Sequence, residues 1–232
     1  MHIKEIKDSV LHLIFPHICS GCGNDLVSNE SCLCLRCIAS LPETNFHMHA
    51  NNPMEKIFWG RLPVSGASAQ YYFTKESLIQ HLMHQFKYRG NKDLGFQLGR
   101  LIGNSLLQTN RFGFLNALVP LPLFPSKEKK RGFNQATVLC DGIADILRVP
   151  VLKMSSYEPS IPTLQTKKGR IERWENIEGK FLLENSESIS NKHILLVDDV
   201  ITTGATLEAC GAELIKGENV TLSMATLCIA SH

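Results

Sequence analysis

A thirteen-residue stretch, from Ile194 to Thr206, constrains the fold of this chain more than any other part of its sequence. It begins as an apolar run that predicts a buried parallel strand over 193–197, continues with the two carboxylates Asp198 and Asp199, and leads through a loop of small residues into a helix. Open α/β sheets bind ligands at this position, outside the carboxyl end of a strand. The stretch therefore predicts a strand–loop–helix unit that carries a ligand site.

Periodic apolar patterns elsewhere in the chain predict further strands and helices. Strands are predicted over 67–73, 117–119 and 220–229. Helices are predicted over 78–86, 93–108, 133–147 and 205–215. Because strands that alternate with helices favour crossover connections, we expect an α/β fold with a mostly parallel twisted sheet and flanking helices.

Five of the eight cysteines crowd one short stretch near the N-terminus, where two C-x-x-C knuckles are separated by eleven residues. Each knuckle offers two sulfurs from one tight turn, and four thiolates complete the tetrahedral shell of a structural zinc ion. An iron–sulfur centre and a redox dithiol use the same C-x-x-C pattern and stand as alternatives. The predicted zinc ligands are Cys19, Cys22, Cys34 and Cys37, whereas Cys32 is predicted to be a surface or packing thiol.

Composition divides the chain into four parts. Residues 1–16 are predicted to form an amphipathic helix and residues 17–50 a small zinc ribbon. Residues 51–60 are interpreted as a linker because asparagine and proline are typical of loops. Residues 61–232 form the predicted α/β domain, in which a long polar stretch at about 155–180 is interpreted as a functional loop or hood.

Charge and hydropathy argue against two classes of protein. The chain has 24 Lys and Arg against 22 Asp and Glu, a net charge of +2 that gives no general attraction to nucleic acid. No run approaches the roughly 18 consecutive apolar residues of a spanning helix, and charges interrupt the N-terminal pattern. We expect a cytoplasmic protein, not inserted in a membrane, whose thiols stay reduced.

The residues around the two carboxylates have the chemistry of a sugar-phosphate site. Backbone amides of Thr202 to Thr206, at a helix N-terminus and left open by Gly204 and Ala205, suit a phosphate. Asp198 and Asp199 can accept from two vicinal hydroxyls, so a phosphorylated ribose satisfies both features. The alternatives are a Walker B strand, for which the chain lacks the accompanying G-x-x-x-x-G-K-[ST], and a strand that ends in a polar turn.

These thirteen residues resemble the phosphoribosyl-diphosphate (PRPP) binding motif of type I phosphoribosyltransferases. Together with the four-cysteine ribbon they resemble the ComF (competence protein F) family, which includes GntX-like proteins. Further similar segments are V-P-L-P-L at 119–123, R-G-F-N-Q-A at 131–136, a block within 162–181, and the K-Y-R-G turn at 87–90. One departure is the run from Lys127 to Arg131, whose charge is mixed where the family is usually arginine-rich.

The resemblance implies a type I phosphoribosyltransferase-like fold with a pocket for PRPP, or another phosphorylated ribose, bound together with Mg²⁺. Asp198 and Asp199 are then the catalytic pair that holds the ribose hydroxyls. The 5′-phosphate loop comprises Val200, Ile201, Thr202, Thr203, Gly204, Ala205 and Thr206, the diphosphate loop Leu121, Pro122, Lys130 and Arg131, and the hood Gln165, Arg170 and Arg173. The Leu121–Pro122 bond is a candidate for a strained or cis peptide.

Two functions are compatible with this resemblance. The first is transfer of a phosphoribosyl group to an acceptor, with release of diphosphate, as in a pentosyltransferase. The second is a non-catalytic module that binds PRPP or phosphate and handles single-stranded DNA, or a partner such as a DNA-uptake helicase, in competence. Because no residue identifies the acceptor, the sequence leaves turnover open.

Overall fold

The computed structural model describes residues 17–26, 31–156, 181–182 and 186–230. Its helices are α1 (Leu35–Ala39), α2 (Pro53–Lys56), α3 (Leu78–Tyr88), α4 (Lys92–Leu107), α5 (Pro125–Arg131), α6 (Gln135–Leu147) and α7 (Ala205–Leu214). Its strands are β1 (Gly66–Phe73), β2 (Ala117–Pro120), β3 (Ser155–Ser156), β4 (Phe181–Leu182), β5 (His193–Ile201) and β6 (Thr221–Ala230). None of the described helices has the length and apolar character that crossing a bilayer requires.

Four of the strands form a parallel sheet in the order β1-β6-β5-β2. The β5 strand is central, and its alternate side chains enter two different apolar layers. Leu195 and Val197 pack in the layer that includes α3, α4 and α6, whereas Ile194 and Leu196 pack in the layer that includes α2 and α7. The sheet is thus covered by helices on both faces, which confirms the predicted α/β fold.

The outer edge of β1 is covered by residues 42–44, which follow α1 in the chain. The Tyr72 amide donates to the Pro42 carbonyl at 2.9 Å, and the Thr44 amide donates to the Gln70 carbonyl at 3.1 Å. Glu43 thereby forms an antiparallel bridge with Tyr71. An uncovered edge strand is a template for pairing with other chains, so this short segment protects the sheet on that side.

The stretch 51–60, expected to be a linker, contains α2 and contributes to the core. Asn52 caps α2 by accepting from the amides of Met54 and Glu55, and its side-chain amide donates to the Ala67 carbonyl of β1 at 2.8 Å. Met54 and Phe58 are almost fully buried. Asn-Pro, which favours loops, here marks a capped helix start, since proline is tolerated in the first turn. The domain boundaries themselves stay a prediction.

Other sequence-based expectations differ from the structure in detail. The proline-rich segment after β2 forms the short helix α5 where a loop was expected, and β5 continues to Ile201 instead of ending at Val197. The Leu121–Pro122 peptide, a candidate for a strained or cis bond, is trans. The N-terminal helix at 1–16 and the hood residues Gln165, Arg170 and Arg173 lie outside the described residues.

Candidate functional site

The two carboxylates lie on β5 itself, still within its pairing with β6. Asp198 is in register with Thr226, and its Oδ1 accepts from the Asp199 amide at 2.7 Å. Because neighbouring residues of a strand point to opposite faces, Asp199 follows the face of α3 and Asp198 follows the face of α7. Asp199 is buried and Asp198 is half-buried. We call these two residues the acid pair.

Lys87 is the residue that sequence reasoning missed. It lies in the last turn of α3, and its Nζ is 2.8 Å from Asp199 Oδ2, with only 18% and 12% of the two side chains exposed. The K-Y-R-G turn was recognised as a similarity to a family, but nothing in its spacing connects it to the acid pair. The ion pair places a cation directly on one of the predicted sugar-binding carboxylates.

Burial and mutual repulsion set the charge of the acid pair. Removal from water, followed by the charge of Asp199, raises the pKa of Asp198 to about 7, while Lys87 and Arg131 act in the opposite sense. Near neutral pH Asp198 is therefore partly protonated and can donate as well as accept. Two thiols also border the pair. Burial raises the pKa of the Cys228 thiol, and the charge of Asp199 raises it further. Burial likewise raises the pKa of the Cys210 thiol, and the charge of Asp198 adds to this effect.

Of the predicted 5′-phosphate loop, Val200 and Ile201 belong to β5 and Ala205 and Thr206 to the first turn of α7, so the loop itself is Thr202 to Gly204. Its geometry depends on Gly204. This residue has φ +78° at the N-cap of α7, and its carbonyl accepts from the Glu208 amide at 2.8 Å. The Ala205 amide donates to Thr203 Oγ1 at 3.5 Å. The ten-residue helix α7 thus directs its amino end toward the loop, and that end of a helix favours anions.

A carboxylate in the first turn of α7 is neutralised by the segment next to α2. Glu208 is buried and pairs with Arg61, whose Nη1 lies 2.7 Å from Glu208 Oε2. Without this partner the Glu208 charge would oppose a phosphate at the same helix end. The segment 51–62 therefore supports the phosphate loop electrostatically as well as by packing.

The R-G-F-N-Q motif builds the predicted diphosphate loop. Arg131 Nη1 donates to Gln135 Oε1 at 2.8 Å, and Phe133 packs against Phe86 of α3 with ring centroids 5.7 Å apart. The Asn134 side chain accepts from the Ala136 amide, which caps α6, and donates to the Leu121 carbonyl at 2.9 Å.

The chain on the N-terminal side of this loop is fixed to β5. The Leu121 amide donates to the Val197 carbonyl at 2.8 Å, which continues the pairing of β2 with β5 beyond Pro120. The loop is thereby held beside the acid pair, and Arg131 is close enough to act on Asp198. Lys130, in contrast, is exposed on α5.

The four predicted zinc ligands converge. The Sγ atoms of Cys19, Cys22, Cys34 and Cys37 all lie within 4.8 Å of one another, and Cys32 is not part of this group. The Cys34 and Gly21 amides donate to Cys19 Sγ at 3.2 and 3.4 Å. Burial raises the pKa of the Cys19 thiol, but these and other backbone hydrogen bonds outweigh it and lower the pKa to about 6. Gly21 leaves room for the cluster, because a Cβ there would lie 2.7 Å from Cys37 Sγ.

These features fit a tetrahedral thiolate site of the structural zinc type. The cluster is also attached to the sheet domain. Gln85 Nε2 of α3 donates to the Ser20 carbonyl at 2.7 Å, and Gln97 Nε2 of α4 donates to Ser31 Oγ at 2.8 Å. The ribbon therefore packs on α3 and α4, two of the helices that cover one face of the sheet.

Comparison with known proteins gives consistent results. A family model described as "Phosphoribosyl transferase domain" matches residues 130–232. The DNA utilization protein YhgH of Escherichia coli O157:H7 is 26% identical over 91% of this chain and 89% of its own length. Competence protein F of Haemophilus influenzae is 26% identical over 89% and 87%, and competence protein ComFC of Bacillus subtilis is 30% identical over 67% and 61%. The first two similarities extend over nearly the whole chain.

Proposed function

The chain belongs to the ComF family and carries a phosphoribosyltransferase domain, and from this premise we propose that its pocket binds PRPP or another phosphorylated ribose. The observation that carries the proposal is the placement of the acid pair on β5, directly before the loop that starts α7 at Gly204. Carboxylates accept from the sugar hydroxyls while the helix end and its threonines bind the 5′-phosphate. One ligand thus satisfies both features.

The diphosphate of PRPP is assigned to the loop formed by Leu121, Pro122 and Arg131, with Lys130 at its exposed rim. The only group of three or more metal-type side chains in the described ranges is the cysteine cluster. Mg²⁺ would be held mainly by the phosphates of PRPP, as this ion commonly is, and would neutralise charge on the leaving group there. Arg131 adds a fixed positive charge from the protein.

If the protein turns over, a nucleophile forms a bond to the anomeric carbon while the bond to the diphosphate oxygen breaks, and the electron pair leaves with diphosphate. The sugar ring becomes cationic as this bond weakens. The acid pair then has two roles: it orients the ribose through its hydroxyls, and its negative charge offsets the developing positive charge.

Calorimetry with PRPP and Mg²⁺ tests the pocket. Binding is expected for the wild-type protein and is expected to weaken at least about tenfold in Asp198→Asn and Asp199→Asn, because charge-assisted hydrogen bonds to the hydroxyls are lost. Asp145→Asn is the matched control, since this carboxylate of α6 forms a surface ion pair with Arg100 of α4. Unchanged affinity in both acid-pair variants would refute the site, and diphosphate release with candidate nucleobases or amines tests turnover separately.

For the cysteine cluster we propose one structural zinc ion per chain. Four protein ligands leave no open position, so the ion stabilises the ribbon and takes no part in the reaction. The support is the convergence of the four sulfurs and the backbone amides that donate to Cys19. Metal analysis of protein purified in metal-free buffer is expected to give about one zinc, and visible absorbance from bound iron would contradict this.

A second candidate function, in DNA uptake, is supported by the names of the relatives. The ribbon exposes Leu35 and Ile18, with 84% and 54% of their surface accessible, and Arg36, which follows Leu35 in the chain, is exposed as well. We propose that the exposed surface of the ribbon contacts single-stranded DNA or a protein of the uptake machinery in the cytoplasm. Fluorescence binding of a single-stranded oligonucleotide at increasing salt distinguishes the two, because DNA binding falls steeply with salt.

A further inference from the structure

The acid pair already has an occupant. Lys87 Nζ lies 2.8 Å from Asp199 Oδ2, at hydrogen-bond distance, and both side chains are largely buried. A carboxylate oxygen in such a pair has less capacity to accept from a ligand, so a ribose hydroxyl has to compete with Lys87 for Asp199. We propose that Lys87 takes the place of the ligand in the free protein, where it pairs with Asp199. When the ribose binds, Lys87 releases that carboxylate and its ammonium pairs with the diphosphate instead.

Lys87 is suited to such an exchange by its chemistry. A lysine ammonium is a compact charge on a flexible four-carbon stem with three donors, so it can leave one anion and bind another without a fixed fork geometry. It lies in the last turn of α3, where the helix ends at Tyr88. A partly buried ion pair gains little net energy over its desolvation, so replacing the carboxylate by a phosphate oxygen costs little.

The residues around the acid pair indicate which anion the Lys87 ammonium pairs with after its release. Lys87 and Arg131 both act on Asp198, and Arg131 belongs to the predicted diphosphate loop. The Arg131 guanidinium donates to Gln135, whereas Lys87 is directly on the acid pair. Other titratable groups that border the pair are the thiols Cys210 and Cys228, whose raised pKa keeps them neutral. Lys87 is therefore the cation that ligand entry displaces, and we assign as its new partner a diphosphate held at the loop whose Arg131 acts on the same carboxylate.

The inference rests on the proposed function, and two ligands test it. Lys87→Met is expected to weaken binding of PRPP with Mg²⁺ by about tenfold or more, because a charge-assisted contact to diphosphate is lost. The same variant is expected to bind ribose 5-phosphate as well as the wild type or better, because the competitor for Asp199 is gone. Lys87→Arg, which keeps the charge, is expected to recover part of the PRPP affinity.

Calorimetry measures both affinities, and circular dichroism checks that each variant is folded. Lys75→Met is the control for loss of one exposed positive charge near the start of α3. Equal losses for both ligands, or no loss for either, would overturn the role of Lys87 while leaving the PRPP pocket intact. Wild-type protein that binds neither ligand would overturn the pocket and the inference together.

Discussion

Gly204 lies directly against Ile57: a Cβ built on this glycine would be 2.7 Å from Ile57 Cγ2. The residue combines this contact with φ +78°, so a side chain is opposed both by backbone conformation and by packing. The phosphate loop is thereby fixed against the segment that follows α2.

Gly204→Ala is expected to reduce the free energy of unfolding by at least about 2 kcal/mol and to weaken ribose-phosphate binding, because the loop must shift. Gly60→Ala is the matched control: its φ is +71°, but nothing lies within 4 Å of the new Cβ. Only about 1 kcal/mol of backbone strain is expected there. Urea unfolding and calorimetry compare the two, and equal effects would contradict the packing argument.

Asn134 both caps α6 and holds the diphosphate loop. Asn134→Ala is expected to cost about 1 kcal/mol of stability and to weaken PRPP binding, since the Leu121 carbonyl loses its donor. Asn91→Ala removes a comparable cap, because Asn91 accepts from the Leu94 amide at the start of α4. That variant is expected to lose similar stability and to keep its PRPP affinity. If both variants lose PRPP affinity to a similar extent, the hydrogen bond from Asn134 to the loop has no specific role in binding.

The raised pKa of Asp198 predicts how stability depends on pH. The folded state holds a proton on Asp198 up to about pH 7, whereas the ordinary pKa of 3.8 applies in the unfolded chain. The contribution of this group is therefore fully present below about pH 4 and is lost as the pH rises toward 7, with a slope of at most about 1.4 kcal/mol per pH unit.

Urea unfolding from pH 4 to pH 8 measures this dependence. Asp198→Asn is expected to remove this part of the slope, whereas Asp145→Asn is expected to keep it. A wild-type slope identical to that of Asp198→Asn would mean that the acid pair does not retain a proton.

Cysteine substitutions separate ligands from the spare thiol. Cys22→Ser is expected to lose most of the zinc and to unfold the ribbon, because three thiolates leave the shell incomplete. Cys32→Ser is expected to retain about one zinc per chain, since Cys32 lies outside the group and contacts Gln97 through its backbone amide. Zinc content and thermal unfolding check both, and loss of metal in Cys32→Ser would contradict the assignment.

The sequence predicts best those features whose residues are close together along the chain. The strand, acid pair, loop and helix between Ile194 and Thr206 form one continuous unit, and the four cysteines lie within one short segment, so their patterns are visible without the fold. Even there, the predicted end of the strand at residue 197 is wrong, because the pairing of β5 with β6 continues through Ile201.

The ion pair of Lys87 with Asp199 could not be predicted in the same way. It joins the end of α3 to the end of β5, and only the packing of α3 on the sheet brings them together. The burial of Met54 and Phe58 in the expected linker also results from tertiary packing. Their neighbours in the sequence are polar and typical of loops, so the sequence does not indicate it.

Within a single turn, helix α3 contacts both the ribbon and the acid pair. Gln85 is hydrogen-bonded to Ser20 of the ribbon, and Lys87, two positions later, is paired with the acid pair. Because a helix behaves largely as one rigid unit, the position of the Lys87 ammonium at the acid pair and the hydrogen bond that attaches the cysteine cluster to the sheet domain both depend on the placement of α3.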